Sequence, residues 1–482
     1  MLSPDKQPSS PRSFWKRLWP GPRVLGFLPA RRAGGAGKAL GGRVAKAASW
    51  SLLGHFSRQA VRFGGNLVLT RLLLPEAFGV MAIATVLLFG FQLFTDIGLK
   101  QNIIQSRRGD QGDFLDTVWT VQILRGALVC LLSLLAGAGL AWLQATPWVA
   151  PDTVYADRSL PLIIFALSFN ALILGFESTK VGTANRHLSL ARITLQDLGT
   201  QVLGLAVTLA WAAVHHSVWA LVAGSLAASG AKVLLSHFLL PGHPNRPGWV
   251  RGHFDEIFHF GKWVFLSSIA GFLLANADRL LLGALVAPAL LGLYVLAFLM
   301  VNSLQWAILN LVTTVSFPLL SEAVRTDQKS LPQLYYRLRR PLELASGALA
   351  AVVFAFGSSL VSLLYDARYA DSGRMLEIVG LSLAAVPYQL SDQLYLALGH
   401  PRLLFLLNVF RAVAIFAVLP LAYAWRGMDG ALWAIALAPF LSVPLSLYFN
   451  RRLGVLDGGR ELAAAAIPLT CILVARIVVT EI

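Results

Sequence analysis

Cysteine is nearly absent: Cys130 and Cys471 are the only two, and each lies in an apolar run. That excludes a disulfide framework and leaves two thiols that behave as small core residues. No Cys/His cluster has the spacing of metal ligands, so neither a metal nor another cofactor is expected. Charge is scarce too, at 13% of 482 residues, where a soluble globular chain carries about 25%. Acids are the scarcer sign, 24 Asp and Glu against 40 Lys and Arg. Long polar stretches between apolar runs are missing, which excludes a hidden soluble domain. No apolar core follows the basic start, so the opening residues do not read as a cleaved signal peptide, and Arg31-Arg32 is not a twin-arginine signal.

What the chain does have is apolar sequence, 56% of all residues. A bilayer-spanning helix needs roughly 20 such residues. Twelve stretches qualify: 48–70, 77–99, 117–143, 159–178, 192–213, 217–240, 258–285, 289–320, 341–364, 374–398, 402–425 and 429–450. A weaker thirteenth, 461–480, contains Pro468 and Arg476. The chain is therefore expected to be an all-α integral membrane protein. Placing the N-terminus in the cytoplasm leaves only Arg71, Arg158, Arg368, Arg374 and Arg426 in the outer loops, the asymmetry the positive-inside rule demands. The net charge of +16 is then a matter of topology, and no nucleic-acid partner is implied. Residues 1–47 hold a single acid, Asp5, and read as a disordered basic tail at anionic lipid, with "SFWKRLW" suited to lie on the surface.

Sliding the chain by 213 residues places Trp50 on Trp263, Pro75 on Pro288, Gly79 on Gly292 and Ala84 on Ala297. These pairs open the first and seventh spans. Six spans per unit let both units enter the membrane in the same sense, giving parallel repeats with a central site between them. The expected units are an N-lobe at 48–240 and a C-lobe at 258–450, joined by a cytoplasmic linker at 241–257.

The first span carries a polar stripe of His55, Arg58, Gln59, Arg62 and Asn66, within roughly a 100° arc of the helix. A charge at mid-bilayer costs on the order of 2.5–3.5 kcal/mol by insertion scales, so two arginines on one stripe are expected to face a wet cavity. The 213-residue shift carries Asn66 onto Arg279, which predicts that Arg279, with Asn276 one turn away, faces the same cavity. Asp278 is expected to pair with a basic or amide group. Arg125, Asp197 and Lys232 lie near cytoplasmic span ends, where snorkelling accounts for them. Asp96 and Asp392 are expected to satisfy an arginine or to bind a coupling ion. "YQLSDQLY", Tyr388 to Tyr395, suits either sugar hydroxyls or hydrogen-bonded packing.

"TRLLLPEAFGVMAIA", "TDIGLKQNIIQ", "HSVWALVAG" and "DRLLLGALVAPALLGLYVLA" resemble the polysaccharide flippases (Wzx/WzxC type) of the multidrug/oligosaccharidyl-lipid/polysaccharide exporter superfamily, over about residues 45 to 450. The resemblance implies two six-helix bundles that alternate access in the bacterial inner membrane. It implies that an undecaprenyl-pyrophosphate-linked oligosaccharide moves from the cytoplasmic to the periplasmic leaflet, in company with polysaccharide polymerase and assembly proteins. On that footing Arg58 and Arg62 hold the pyrophosphate with Arg279 opposite, because arginine binds phosphate bidentately and stays charged. The rival readings are a lipid II flippase, a multidrug/cation exporter and a membrane glycosyltransferase. A cation exporter wants acids in its lumen, and the first span supplies none. A glycosyltransferase wants paired carboxylates beside a sizeable outer loop, and the longest outer loop runs only over Gln144–Ser159.

Overall fold

The computed structural model describes residues 35–187, 189–312 and 316–481; side chains at 35–49, 51–52, 254–268, 270, 310–311, 318, 469 and 474–481 are not described. The surface-lying stretch expected at Ser13–Trp19 falls outside these residues. Trp263 and Ser268, used in the repeat comparison, lie among the undescribed side chains. The first helix begins at Gly35, inside the stretch expected to be disordered.

Among the described residues there is no strand. The first eight helices are α1 (Gly35–Leu72), α2 (Pro75–Phe94), α3 (Leu99–Gln105), α4 (Gly112–Gln144), α5 (Ser159–Gly175), α6 (Lys180–Arg186), α7 (Leu190–Val214) and α8 (Trp219–Phe238). After an irregular segment come α9 (Arg251–Gly283), α10 (Pro288–Leu311), α11 (Phe317–Thr326), α12 (Leu331–Leu364), α13 (Asp371–Gly380), α14 (Leu390–Ala397), α15 (Pro401–Leu441), α16 (Val443–Arg452) and α17 (Gly458–Glu481). Among the described residues, seven helices are long and apolar enough to cross a membrane, eight if α5 and α6, bent by 61°, count as one span.

The breaks have local causes. Residues Leu381–Gln389 form a nine-residue 3₁₀ helix between α13 and α14. Runs that long are uncommon, and Pro387, which lacks an N–H, lies inside it. The helix α15 folds back at Arg426 and Gly427, where Gly427 has φ 60° and ψ −142°, a conformation that favours glycine. The expected spans 402–425 and 429–450 fall on either side of that turn.

The surface is inverted relative to a soluble protein. Leu363 and Leu421 are largely exposed, while Ser133, Ser168, Ser372, Ser446 and Asn450 are buried. Such an apolar exterior fits hydrocarbon, not water. Without a hydrophobic force between helices in lipid, close backbone approach at small residues holds them together. Pro75 and Pro288 each stand at the start of a helix, after an extended residue, where their fixed φ is pre-set for the first turn. One turn on, a Cβ at Gly79 would strike the Pro288 carbonyl, and a Cβ at Gly292 would strike the Pro75 carbonyl. The contact between α2 and α10 is thus reciprocal.

The segment before α9 is tied down group by group. Asp116 Oδ1 accepts the Arg246 N–H at 2.9 Å and lies 3.0 Å from His243 Nε2, and Thr120 Oγ1 accepts the Gly248 N–H at 2.9 Å. Asn245 Oδ1 accepts from Ser178 at 2.6 Å and from the Thr179 N–H at 3.1 Å. The expected linker at 241–257 is therefore a bonded strap that becomes helix at Arg251.

Candidate functional site

A cavity of about 680 Å³ opens between α1, α2, α5, α8, α9 and α10. Its charged lining residues are Arg62 and Arg279, and among the described residues no acid lines it. Gln92, Asn170, Asn276 and Asn302 add amides, and Ser225 and Ser229 add hydroxyls. Arg62 has no acidic partner among the described residues. Arg279 lies over the Phe298 ring at 4.5 Å and donates to Asn276 Oδ1 at 3.4 Å, while its Nε is buried without a partner. Both guanidiniums therefore keep donors available, and neither forms an ion pair among the described residues.

Of the polar stripe on α1, only Arg62 reaches this lining. Arg58 instead sits 3.5 Å from Asp197 on α7, and its carbonyl accepts from Gln201 at 2.9 Å. Gln59 donates to Ser303 on α10. His55 meets Phe56 edge-on, with ring centroids 5.9 Å apart. Asn66 is half-buried outside the lining. An arc of roughly 100° is wide enough for its edges to meet different neighbours: the Arg58 edge turns to α7 and the Gln59 edge to α10. The expectation that Arg58 joins Arg62 in the cavity is corrected accordingly.

Asp278 is buried, and Tyr294 donates to its Oδ2. Its partner is a phenol, not the expected basic or amide group, because Tyr294 lies within reach on α10. The charges expected to snorkel are paired instead. Arg125 lies 3.8 Å from Asp96 and donates to the Gln92 carbonyl at 2.6 Å; Lys232 lies 3.5 Å from Glu177. Asp96, Arg125, Lys100, Gln122 and Glu177 line a separate cavity of about 320 Å³. Asp392 pairs with Arg411 at 3.1 Å, both side chains being 15% exposed. Among the described residues no group of three or more His, Cys, Asp or Glu could hold a metal ion.

The segment Tyr388–Tyr395 divides its duties. Tyr388, Gln389 and Asp392 line a second cavity of about 470 Å³. Ser391 and Tyr395 turn the other way, to Tyr335 at 2.8 Å and Asn450 at 2.9 Å. Behind them lies a group that the sequence reading missed. Arg339 is fully buried, with Nε 2.6 Å from Glu343 and Nη1 2.8 Å from Glu461. Its guanidinium also covers the Tyr388 ring at 4.3 Å. The readable signal was the i, i+4 spacing of Arg339 and Glu343; Glu461 opens α17, the thirteenth candidate span.

At the opposite end of α1, Arg368 donates to the carbonyls of Thr70 and Arg71, both at 3.0 Å, and the Tyr369 hydroxyl donates to the Leu73 carbonyl at 2.9 Å. These carbonyls end a helix and have no intrahelical donor. Asp366 grips Arg368 at 2.5 Å. The hydrogen bond from Arg368 holds the Asp366 carboxyl below its ordinary value. A depressed carboxyl contributes stability above the unfolded pKa of about 3.9 and loses it as pH falls through the lower folded value. Asp366→Asn should therefore lower the melting temperature in detergent at neutral pH, and the difference from the parent should close once pH drops below the carboxylate range. A gap of unchanged size at low pH contradicts this.

Residues 68–374 match the family described as "Polysaccharide biosynthesis protein". An uncharacterized membrane protein in the cps region of Klebsiella pneumoniae is 20% identical over 411 residues, covering 84% of this chain and 81% of that protein. The lipopolysaccharide biosynthesis protein WzxC of Escherichia coli (strain K12) is 22% identical over 391 residues, covering 79% of this chain and 75% of its own. Among solved structures, the lipid II flippase MurJ in an inward closed conformation superposes with TM-score 0.68 at 12% identity, covering 89% of this chain and 92% of that one. A multidrug resistance MATE family transporter of the MOP superfamily, inward-facing, gives TM-score 0.63 at 14% identity, covering 82% and 94%. At such identities the superpositions speak for the fold alone, but the family match spans most of the chain. This protein belongs to the polysaccharide biosynthesis protein family, as a multi-pass membrane protein with the fold of those two transporters.

Proposed function

We propose that the chain carries an undecaprenyl-pyrophosphate-linked oligosaccharide from the cytoplasmic to the periplasmic leaflet of the bacterial inner membrane, by alternating access, for polysaccharide export. The observation that supports it most is the cavity lined by two arginines and, among the described residues, by no acid. A lumen of that charge suits a diphosphate, whose oxygens accept bidentate, charge-assisted hydrogen bonds from arginine. It disfavours cationic drugs, for which the described lining residues offer no counter-charge. The polyprenyl tail stays in lipid while the polar head crosses.

Twelve spans in two parallel six-helix lobes, with α17 as a thirteenth, frame this reading. The 213-residue shift that relates Pro75 to Pro288 and Gly79 to Gly292 also relates the two sides of the reciprocal contact between α2 and α10, as two similar lobes facing each other require. With the N-terminus cytoplasmic, that contact and the Arg368 clasp lie at the outer ends of the helices. Both must part for the head group to leave.

Leaflet-resolved transfer in proteoliposomes tests the proposal. A membrane-impermeant glycosidase should reach lipid-linked glycan that started in the inner leaflet when the protein is present. The same glycan on a phosphate-free polyprenyl carrier should not be moved. Equal transfer of the two carriers removes the proposal.

A further inference from the structure

The cavity of about 470 Å³ adjoins the arginine cavity, and the two share Ala275, Phe298, Asn302 and Trp306 as a common wall. Its chemistry differs. Asp278 is engaged by Tyr294, and Asp392 is paired with Arg411, which also donates to Ser442 Oγ at 3.0 Å. The Asp392–Arg411 pair cancels, whereas the Tyr294 phenol leaves the charge of Asp278 in place, so the wall is net negative and the space does not suit an anion. What remains unengaged is a set of primary amides. Asn302, Gln305 and Gln389 line the space, and none has a hydrogen-bond partner among the described residues. Each amide offers two N–H donors and a carbonyl acceptor. The wall also holds two aromatic rings. Trp306 is 53% exposed, and Tyr388 is held by Arg339 against its ring at 4.3 Å.

Unengaged amides beside aromatic rings, in a space that repels anions, match one chemical class. A sugar presents adjacent hydroxyls, each both donor and acceptor, and a face of C–H bonds that packs on an aromatic ring. A lipid tail leaves the amides unsatisfied, at a cost for every one desolvated. We infer that this second cavity is the subsite for an uncharged sugar residue of the carried glycan, with Gln305 and Gln389 reading its hydroxyls and Trp306 and Tyr388 its apolar face. The shared wall fixes which sugar. With the diphosphate at Arg62 and Arg279, the residue beyond Asn302 and Trp306 is the one joined directly to the phosphate. The inference rests on the proposed function and deepens it: one cavity selects the carrier, and its neighbour inspects the cargo.

Binding to the full-length protein in nanodiscs separates the two assignments. The probes are undecaprenyl diphosphate without sugar, and undecaprenyl diphosphate bearing glucose, galactose or N-acetylglucosamine. The parent protein should bind at least one sugar-bearing probe more tightly than the bare carrier. Gln305→Ala with Gln389→Ala should weaken that probe about tenfold, as loss of two hydrogen bonds implies, while bare-carrier binding, which also reports folding, stays within about twofold. If the double variant does not fold, Gln389→Leu, similar in volume, should show the same split in smaller measure. Equal weakening of both probes, or no change in either, overturns the subsite. So does a parent that binds every sugar-bearing probe no better than the bare carrier. A parent that binds no probe at all overturns the diphosphate assignment as well.

Discussion

Arg62→Ala abolishes export of the surface polysaccharide while the protein remains in the membrane in normal amount. Two features make the effect large and selective. Arg62 lines the arginine cavity and has no acidic partner among the described residues, so its removal strands no opposite charge there. The fold therefore loses little. The substrate loses one of two cations available to its diphosphate. A hydrogen bond to a charged group is worth about 1.5–3 kcal/mol, and a bidentate guanidinium makes two, so binding should fall by about two orders of magnitude or more. Arg62→Lys should recover only part, because an ammonium supplies the charge without the planar pair of donors. Arg279→Ala should act in the same direction. Arg58→Ala should behave differently. It leaves Asp197 without its cation, so the loss should appear as reduced protein amount, with turnover per molecule retained. Normal export by Arg62→Ala at normal abundance removes the diphosphate assignment.

The sequence made part of this visible. Apolar runs announced the helices; Pro75, Gly79, Pro288 and Gly292 stood out only as matched positions of a 213-residue shift, and that they meet face to face came from the structure. Arg62 and Arg279 were legible as cavity residues, since a charge in an apolar run has few other tolerable places. The argument for Arg279 went through Asn66, however, and Asn66 lies outside the lining. The residue equivalent to Arg62 under the shift is Ala275, and it does line the cavity. Ala275 and Arg279 lie one turn apart on the face of α9 that lines this cavity.

Partners across helices stayed hidden. Whether Arg58 turns to the cavity or to Asp197, and whether Asp278 meets a base or Tyr294, depends on helix rotation by a few tens of degrees, which apolar periodicity does not encode. The strap at 241–250 read as a linker because its bonds go to Asp116, Thr120 and Ser178, far away in sequence. Arg339 was missed because the ninth span was drawn from 341, whereas the helix starts at Leu331; a residue assigned to a loop is not asked for its partner.

That same arginine carries the largest expected effect on stability. Arg339 and Glu343 are each 1–2% exposed in their side chains, and Glu461 is 11% exposed. The hydroxyl of Tyr336 donates to Glu461 at 3.0 Å. Taking these charges out of water is costly, and their mutual attraction only repays that cost while all remain together. Arg339→Ala leaves two buried acids without a cation and should destabilise the protein by about 3–5 kcal/mol. Glu461 stands on α17, which packs along α12, with Pro468 close against Gly347. The loss should therefore loosen α17 first, and limited proteolysis should cut within 458–481 before the rest of the chain. Replacing the whole group, Arg339→Met with Glu343→Leu and Glu461→Leu, should restore most of the stability, because apolar side chains of similar volume carry no desolvation cost. The triple variant then separates the two roles of the arginine. If the cluster serves only to fasten α17, transport returns with stability. If the guanidinium is also needed behind the Tyr388 ring, the triple variant folds and still binds sugar-bearing carrier poorly. Arg339→Ala unfolding at the same denaturant concentration as the parent rules out the first role, and with it the account of why α17 stays in place.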